Sequence, residues 1–393
     1  MTDSIWRRTI SPQEQGVLER SDDVPMTADF LIVGGGLVGL AVAYYLSQAR
    51  AGSVVVVDRE GPAAEASSAN AGGLWFAHES SRQGVLLEFA KLSDALYAEL
   101  GEEMDFGHRR DGILDLLWSE KEIEEATARC EGLRAVGFAA DMVERERLRE
   151  FEPGLSDIAA GGLLTPNDGQ LHPVRLAAAL TERLRQNGAL VCGGVEAFGL
   201  GRTVETSRGP ISAGTVVVAS GAWTPLVTRA LGWEPPIRPI RGTLLALPSM
   251  PAGTVRHTVM AKEYYHLQLP EGPVVGGGTH EDVGFIRGVD DSSQAAIRAE
   301  MNQLFPALAD QATQLAWSGF RPFCEDELPV VGEAPQTPDG AKIYIAAGHF
   351  RKGVMLAPST GKLLADVILH GDASVDISAL SPLRFDGAAA APA

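Results

Sequence analysis

The first strong pattern along the chain is an apolar strand, a glycine-rich turn and a buried helix. Residues 30–33 form a short apolar run, residues 34–39 are Gly-Gly-Gly-Leu-Val-Gly, and residues 40–48 have the composition of a buried helix. A second apolar run, residues 54–57, ends in Asp58. This order predicts a βαβ unit, in which a crossover helix joins two parallel strands.

Helical and strand-like patterns continue through the rest of the chain. Most strand-like runs between residues 241 and 320 follow one another without an intervening helix, which predicts a mainly antiparallel sheet distinct from the parallel one. Helical patterns cover roughly residues 85–100, 120–136, 174–187 and 292–304. Strand-like runs lie near residues 112–118, 215–219, 241–247, 264–269, 273–276, 314–320 and 343–346.

Composition limits the class of protein. The chain has 393 residues, 45% of them hydrophobic, which is enough for two lobes with sizeable cores. A formal net charge of −18 argues against binding to nucleic acid or an anionic membrane, because both require clustered cations. There is no apolar run of about 18 residues and no signal-peptide pattern, so we expect a cytoplasmic protein without an integral membrane segment.

The cysteines and the chain ends add further expectations. Three cysteines without CxxC spacing predict neither a disulfide framework nor a metal site. Residues 1–27 are polar and mixed in charge, and we expect an N-terminal extension that lies on the surface or is disordered. The last segment, residues 377–393, ends in a low-complexity stretch after Phe385 that we expect to be unstructured.

The glycine-rich turn fits a dinucleotide site. Gly34 permits the tight turn out of the strand, Gly36 lets the backbone approach a pyrophosphate, and Gly39 lets the helix pack close to the sheet. The pyrophosphate would lie on free N–H groups at the helix N-terminus, and Asp58 would accept hydrogen bonds from a ribose diol. A glycine-rich turn without ligand is the alternative, and the motif alone does not separate FAD from NAD or S-adenosylmethionine.

Four further stretches, together with the turn, resemble the D-amino-acid oxidase/glycine oxidase (DAO) family of FAD flavoproteins. The resemblance covers roughly residues 28–380, with all motifs in order. Within the family it is greatest to bacterial glycine oxidases of the thiamine-biosynthesis type. The catalytic subunit of hydrogen cyanide synthase is also similar, at residues 71–75 and 281–285. The four stretches are residues 67–73, 216–223, 317–332 and 346–353.

The resemblance implies an α/β plus α+β fold: a Rossmann-like FAD-binding domain with a second, mainly antiparallel-sheet substrate domain. Residues 28–75, 151–235 and 325–376 would form the first domain, and residues 76–150 and 236–324 the second. The implied FAD contacts are Gly34, Gly36, Leu37, Val38, Gly39, Asp58, Arg59, Ser67, Ser68, Asn70, Ala71, Gly72, Gly73, Val195, Ala219, Ser220, Gly221, Trp223, Gly348, His349, Phe350, Arg351, Lys352 and Gly353.

The carboxyl-terminal motif would meet the flavin ring. Pro358 suits the first turn of a helix that runs to about Leu369, because a first-turn residue needs no N–H donor. The positive end of that helix and the N–H groups of residues 351–354 would face the flavin N1–C2=O edge, where reduction places negative charge. A capped surface helix after a loop is the alternative.

Arg321 is the leading candidate for binding a substrate carboxylate, because a guanidinium forms two parallel hydrogen bonds to that group. The resemblance places it after a strand, at the position of the carboxylate-binding arginine. The alternative is a surface arginine paired with Glu325 or Asp326. Tyr265 lies fourteen residues before Thr279 and would donate its hydroxyl to the same carboxylate, unless its ring lies in the core.

Arg351 and His280 complete the predicted substrate site. Arg351 lies in the flavin-adjacent loop and resembles a second arginine near the substrate. His349 precedes it and is expected to hold the loop through a backbone hydrogen bond, with a direct catalytic role as the alternative. Tyr264 points to the opposite face of its strand from Tyr265. His280 departs from the apolar residue of several glycine oxidases and, with Glu263, would make the pocket more polar. Both leave the preference for glycine open.

The implied reaction is oxidation of a small primary or secondary amino acid by hydride transfer to flavin N5. The imine hydrolyses to an oxo acid, and O2 or another acceptor reoxidises the flavin, giving H2O2 in the case of O2. Cys324 lies too late in the chain for a family-type covalent flavin link, so we expect noncovalent FAD. Alternatives are a dehydrogenase or hydrogen cyanide synthase-like subunit that passes electrons to a partner or quinone, and a non-catalytic flavin-binding module. A nicotinamide dehydrogenase and a homo-oligomer also remain open.

Overall fold

The computed structural model describes residues 2–79, 84–335, 337 and 339–385. Its strands are β1 Thr27–Val33, β2 Val54–Asp58, β3 Gly73–Leu74, β4 Ile113–Leu117, β5 Asp141–Glu144, β6 Gly161–Thr165, β7 Gly169–Gln170, β8 Leu190–Gly193, β9 Ala197–Gly199, β10 Thr203–Thr206, β11 Ile211–Val218, β12 Ile237–Ser249, β13 Thr258–Met260, β14 Tyr265–Gln268, β15 Pro273–Gly277, β16 Leu315–Cys324, β17 Val330–Glu333 and β18 Lys342–Ala347. Its α-helices are α1 Ile5–Arg8, α2 Pro12–Glu19, α3 Leu37–Gln48, α4 Phe76–Glu79, α5 Val85–Glu103, α6 Glu120–Ala135, α7 Leu148–Phe151, α8 Pro173–Gln186, α9 Thr224–Thr228, α10 Asp291–Leu304 and α11 Gly353–His370.

The first sheet is built around the predicted βαβ unit. Its strand order is β17-β18-β11-β1-β2-β8, and β9 and β10 continue from β11 as an antiparallel extension. The strands from β18 to β8 are parallel, and β17 is antiparallel to β18. The predicted parallel nucleotide-binding sheet is therefore confirmed, and it is assembled from separated pieces of chain.

Close helix packing covers this sheet. Helix α3 is apolar and buried on almost all sides, as a helix between two layers must be. Gly361 of α11 lies directly against α3, because a Cβ there would stand 2.6 Å from the carbonyl carbon of Ala41. Two core clusters follow from this arrangement, one on each face of the sheet.

The second sheet has the order β16-β12-β15-β14-β13-β4-β6-β5. All its pairings are antiparallel except that of β13 with β4, so the predicted mainly antiparallel sheet is confirmed. Strand β6 belongs to this sheet although residues 161–165 fall in the segment 151–235 that we had placed in the FAD-binding domain. The boundary at residue 151 is therefore too early.

The expectation for the N-terminal extension is wrong. Residues 5–8 and 12–19 are helical, and Ile5, Trp6 and Leu18 are buried in the core. Only isolated apolar residues are involved, and their partners lie far along the chain, so no local periodicity marks them.

At the other end, Leu380 is fully buried, so the chain remains packed beyond residue 376, while the low-complexity stretch 386–393 lies outside the described residues. Within the described ranges, no helix is both long and apolar enough to cross a membrane.

Candidate active site

A cavity of about 490 Å³ is lined by residues from both sheets. The first sheet supplies the glycine-rich turn and the carboxyl ends of its parallel strands, where nucleotide sites form in such folds. The second sheet supplies side chains from β14 and β16. A nucleotide cleft and a smaller chamber against the antiparallel sheet are therefore continuous.

The glycine-rich turn has the geometry that its sequence predicts. Gly34 has φ +121°, and a Cβ there would stand 2.4 Å from the carbonyl oxygen of Ala219. At Gly39 a Cβ would stand 2.1 Å from the Gly34 oxygen, so only glycine lets α3 lie this close to the strand end. Gly36 begins α3 without a side-chain cap and lines the cavity. Ser67 Oγ accepts from the first N–H of α3, that of Leu37, and the helix N-terminus that faces the cleft fits the pyrophosphate of FAD.

Asp58 fixes the shape of this turn. Its Oδ2 accepts a hydrogen bond from the Gly35 N–H at 2.7 Å. Its Oδ1 accepts from the N–H groups of Glu60 and Gly61, each at 2.8 Å. A carboxylate oxygen has two lone pairs, so Asp58 keeps acceptor capacity for a ribose. The ribose contact therefore stays a prediction, whereas the turn-forming contacts are a finding that the motif did not reveal.

The stretch 67–73 lies beside the turn. Ser67 Oγ accepts from the Leu37 N–H at 2.9 Å. Asn70 donates to the carbonyls of Ala66 and Ser67 and accepts from the Gly72 N–H, so it holds its own loop. Predicted cofactor residues that line the cavity are Gly34, Gly36, Leu37, Val38, Asp58, Arg59, Ser67, Asn70, Ala71, Gly73, Val195, Ala219, Ser220, Gly221, Trp223, His349, Phe350, Arg351 and Gly353. Predicted residues outside its wall are Gly39, Ser68, Gly72, Gly348 and Lys352.

Arg321 is a cation in the cavity wall, and its hydrogen-bond partner among the described residues is a backbone carbonyl rather than a carboxylate. Its Nη1 donates to the Thr279 carbonyl at 2.6 Å, and no ion pair to it occurs in the part of the chain that the structure describes. Burial lowers the pKa of Arg321, while Tyr265 opposes that shift. The residue lies inside β16 rather than after a strand, and Asp326, one of its two alternative partners, pairs with Arg384 instead at 2.7 Å. The side chain is thus available to an anionic ligand.

Tyr265 shares the cavity wall with Arg321. Its ring packs edge-on against Trp75, with the ring centroids 5.2 Å apart. Burial raises the pKa of Tyr265 to about 12, although Arg321 and Arg351 oppose the shift, so the hydroxyl is a neutral donor at pH 7. Tyr264 packs into the cluster on the other face of its sheet, as the alternation predicts.

Trp75 is a cavity residue that we did not predict as part of the site. Its indole covers Gly73 so closely that a Cβ there would stand 2.1 Å from Cε2. The signal in the sequence is the pair of glycines two and three residues before a tryptophan, which leaves room for a ring over the backbone. Phe320, the neighbour of Arg321 on β16, also lines the cavity and was missed.

Arg351 is already partly neutralised. It pairs with Glu79 at 3.2 Å, and Lys352 pairs with the same carboxylate at 3.5 Å. Burial alone would raise the pKa of Glu79, but Arg351 and Lys352 outweigh it and hold the pKa below its usual value. Of the two predicted arginines, Arg321 is therefore the one without an acidic partner among the described residues.

His280 lies at the edge of the site. Its imidazole is exposed, is 5.5 Å from the Phe350 ring between centroids, and is not part of the cavity wall that the structure describes. Partial desolvation, followed by the charges of Arg321 and Arg351, lowers the pKa of His280 to about 4. The imidazole is therefore neutral at pH 7 and adds polarity at the rim, not over the centre of the chamber.

His349 fastens the loop at the cavity to α11. It is 3% exposed, its Nε2 is 2.9 Å from Thr360 Oγ1, and burial lowers its pKa to about 3.

The expected place of Pro358 is wrong, because α11 begins five residues earlier, at Gly353. A helix-interior proline leaves the carbonyl four residues before it without its N–H donor. The Tyr97 hydroxyl donates to that Val354 carbonyl at 2.6 Å, which explains how the proline is tolerated.

A buried polar network lies behind the Thr279 carbonyl. The Thr279 hydroxyl donates to Glu281 Oε1 at 2.6 Å and accepts from the Thr243 N–H at 2.7 Å. Ser293 donates to the same Glu281 oxygen at 2.8 Å, and Arg241, 2% exposed, forms an ion pair with the carboxylate. The network fixes the backbone that holds Arg321.

The cleft and chamber together define a two-lobed, dinucleotide-dependent oxidoreductase. The family model of FAD dependent oxidoreductases, DAO, matches residues 29–367. The chain therefore belongs to the DAO family of FAD-dependent oxidoreductases, and the cofactor is FAD.

Relatives in this family agree in length and fold. Glycine oxidase of Geobacillus kaustophilus is 30% identical over 372 residues, 91% of this chain and 97% of that protein. The crystal structure of glycine oxidase from Geobacillus kaustophilus superimposes with a TM-score of 0.86 over 92% of this chain and 99% of that one, at 29% identity. Hydrogen cyanide synthase subunit HcnC of Pseudomonas aeruginosa is 29% identical over 93% of this chain and 98% of that protein.

Proposed function

We propose that the protein oxidises a small primary or secondary amino acid at the carbon next to its carboxylate. The observation that carries the proposal is Arg321, a half-buried guanidinium in the cavity wall without an acidic partner among the described residues. A buried charge is costly unless a counter-charge completes it, and a substrate carboxylate would do so. Relatives named glycine oxidase support the substrate class.

Each polar residue of the chamber has a role in this proposal. Arg321 binds the carboxylate through parallel hydrogen bonds, and Tyr265 donates its hydroxyl to the same group. Arg351 is engaged with Glu79 and sets the charge at the rim. Bound FAD supplies the hydride acceptor, so the protein has to orient the substrate rather than provide an acid or base.

Aromatic side chains form part of the wall around the proposed substrate. Trp75, Tyr265 and Phe350 line the cavity, and the rings of Trp75 and Tyr265 pack edge-on against each other. In the overall reaction the amino acid loses two electrons and two protons to become an imine. Water then hydrolyses the imine to an oxo acid and ammonia, or to an oxo acid and a primary amine for an N-alkyl substrate. O2 takes up the two electrons and two protons as H2O2.

A second candidate differs only in the electron acceptor. The similarity to subunit HcnC and to a D-amino acid dehydrogenase of Vibrio cholerae, 26% identical, favours transfer to a partner or quinone instead of O2. The amino acid chamber would be the same in both cases. The test must therefore separate reduction of the flavin from its reoxidation.

Anaerobic bleaching of the flavin absorbance by glycine, sarcosine, D-alanine, D-proline and L-proline tests the substrate class. The same panel in air, with peroxide detection, tests the acceptor. We expect rapid bleaching by glycine or sarcosine, and peroxide in air. Bleaching without peroxide would favour the dehydrogenase, and a flavin that none of the five reduces would contradict the proposal.

Arg321→Met tests the residue that carries the proposal. Loss of two charge-assisted hydrogen bonds should lower the bleaching rate at low substrate roughly a hundredfold or more. Arg238→Met is the matched control, because Arg238 pairs with Asp282 on the surface, with their side chains 44% and 60% exposed. A similar rate in the Arg321 variant and the control would remove the basis for the carboxylate site.

A further inference from the structure

The N-terminal segment contacts a loop of the FAD cleft. We call residues 2–9 the N-terminal strap and residues 62–72 the cofactor loop. The family match begins only at residue 29, so the strap lies outside it. Thr2, Ser4, Ile5 and Trp6 are nonetheless all less than 9% exposed. The Ser4 hydroxyl is buried without a partner in the described structure, and most of the hydrogen bonds that the strap makes to other segments go to the cofactor loop.

Four hydrogen bonds join the strap to the cofactor loop. The Thr2 N–H donates to the Ala64 carbonyl at 2.9 Å. The Trp6 indole N–H donates to the Asn70 carbonyl at 2.6 Å. Arg7 donates to the carbonyls of residues 62 and 63, both at 2.9 Å. The Trp6 ring also lies against Gly72, where a Cβ would be 3.3 Å from it. The strap therefore binds carbonyls at the beginning of the loop, at residues 62–64, and near its end, at Asn70.

The opposite side of the cofactor loop faces the cleft. The Ala63 N–H donates to the Gly35 carbonyl at 2.9 Å, and Ser67 accepts from the first N–H of α3. Ala64, Ala66, Ser67, Asn70 and Ala71 are among the loop residues that line the cavity. The loop is thus held between the strap and the glycine-rich turn.

Ala63 shows that the loop does not rest in its preferred conformation. Its φ is +52°, in the left-handed region that residues other than glycine rarely adopt. Such a conformation persists only where its surroundings enforce it. Arg7 on its carbonyl and Gly35 on its N–H provide that enforcement.

We propose that the N-terminal strap is a positioning element for FAD. It holds the cofactor loop in the conformation that lines the cleft. FAD binding therefore costs less conformational entropy than it would with a free loop. Trp6 and Arg7 act as positioning residues through the loop and are not themselves part of the cavity wall. The proposal depends on FAD binding alone and is independent of which amino acid is oxidised.

FAD affinity tests the proposal. The full-length chain is stripped of FAD and titrated while the quenching of flavin fluorescence is followed, together with the melting temperature of the stripped protein. Trp6→Phe removes the indole N–H, and Arg7→Met removes the guanidinium. We expect each variant to raise the Kd for FAD roughly threefold to tenfold, as for one or two lost hydrogen bonds.

Trp118→Phe is the matched control. Its indole N–H is buried without a hydrogen-bond partner in the described structure, and the residue follows β4 in the second sheet. This variant should leave the Kd unchanged. An unchanged Kd in both strap variants, with only a lower melting temperature, would overturn the proposal, because the strap would then be purely structural. The same loss of affinity in Trp118→Phe would overturn it too.

Tryptic cleavage after Arg8 gives an independent readout on the wild-type protein. Because linkage is reciprocal, FAD that binds more tightly to the docked strap must also favour docking. Saturating FAD should therefore slow cleavage at Arg8. The factor should be about the same as the factor by which the Kd for FAD rises in a variant that lacks residues 2–9. Equal cleavage rates with and without FAD would contradict the coupling.

Discussion

The guanidinium of Arg321 lies directly against the backbone of Gly242: a methyl group on Gly242 would stand 2.4 Å from its Cζ and 2.3 Å from its Nη2. The two residues lie on the paired strands β16 and β12. Without a side chain at Gly242 the planar guanidinium can lie against the backbone, and its Nη1 donates to the Thr279 carbonyl. The direction of the fork is therefore set by backbone atoms, which move little.

Gly242→Ala should displace this guanidinium while the FAD cleft stays intact. We expect KM for the amino acid to rise roughly tenfold or more, because a misplaced fork loses one of its two hydrogen bonds to the carboxylate. Steady-state kinetics and an FAD titration measure the two effects separately. Gly132→Ala in α6, where nothing lies within 4 Å of the new methyl, is the control and should leave KM unchanged. An unaltered KM in Gly242→Ala would show that Arg321 does not bind the substrate.

Glu281→Gln should destabilise the fold and also weaken substrate binding. The change removes the less exposed of two counter-charges of Arg241, whose side chain is 3% exposed, while Asp290 stays paired with it, and we expect a loss of about 1–3 kcal/mol in the free energy of unfolding. Because Glu281 also holds Thr279, KM should rise as well. Urea unfolding and kinetics check the two effects.

The adjacent Asp282→Asn is the control for that experiment. Asp282 pairs with Arg238 at the surface, so its loss should change the unfolding free energy by less than about 0.5 kcal/mol. Equal effects of the two substitutions would mean that the network behind Thr279 adds nothing beyond an ordinary surface charge.

His349 should make the fold less stable in acid. Burial lowers its pKa from 6.5 to about 3, so the folded protein binds fewer protons than the unfolded chain between these values. Stability from this residue is complete above about pH 6.5 and is lost as the pH falls towards 3. In His349→Gln the melting temperature should therefore fall less on acidification than in the wild type. The exposed His370→Gln should follow the wild-type curve, and a parallel His349→Gln curve would contradict the assignment.

The FAD should be released when the protein is denatured with acid. Cys324 is buried, and burial, followed by Asp326, raises the pKa of its thiol to about 12, so it is a poor nucleophile toward a flavin. Absorbance of the supernatant after precipitation measures the free flavin. In the native protein a thiol reagent such as DTNB should react with none of the three buried cysteines, and after unfolding with all of them. Flavin that stays with the precipitate would show a covalent link.

Local patterns were sufficient to predict the nucleotide half. The spacing of residues 30–58 alone gives a strand, a turn and a helix, because glycine and apolar periodicity act over a few residues. The antiparallel grouping of residues 241–320 is also visible locally. By contrast, no local pattern predicts that Arg321 and Tyr265 lie in one wall of the cavity. Only the resemblance to the family implies it.

Contacts between distant residues were not predictable in this way. Trp6 and Asn70 are 64 positions apart, and nothing near Trp6 shows that its indole has a partner. Gly242 looks like any glycine in a strand, and its importance depends on a guanidinium from another strand. Pro358 was misplaced because the hydroxyl that compensates for it comes from Tyr97, on a different helix.

The strand order of the first sheet also determines when the protein can fold during synthesis. Strand β18, residues 342–347, lies between β17 and β11, and α11 packs on the sheet after it. The first strand of this sheet starts at residue 27, but β18, an inner strand, ends only at residue 347. The ribosome must therefore release nearly the whole chain before β18 can join the sheet. Until then residues 215–218 of β11, which pair with β18, and the part of α3 that packs on α11 have no partner, which is a condition that favours chaperone binding or aggregation. A fragment truncated before residue 342 should for this reason be insoluble when expressed alone.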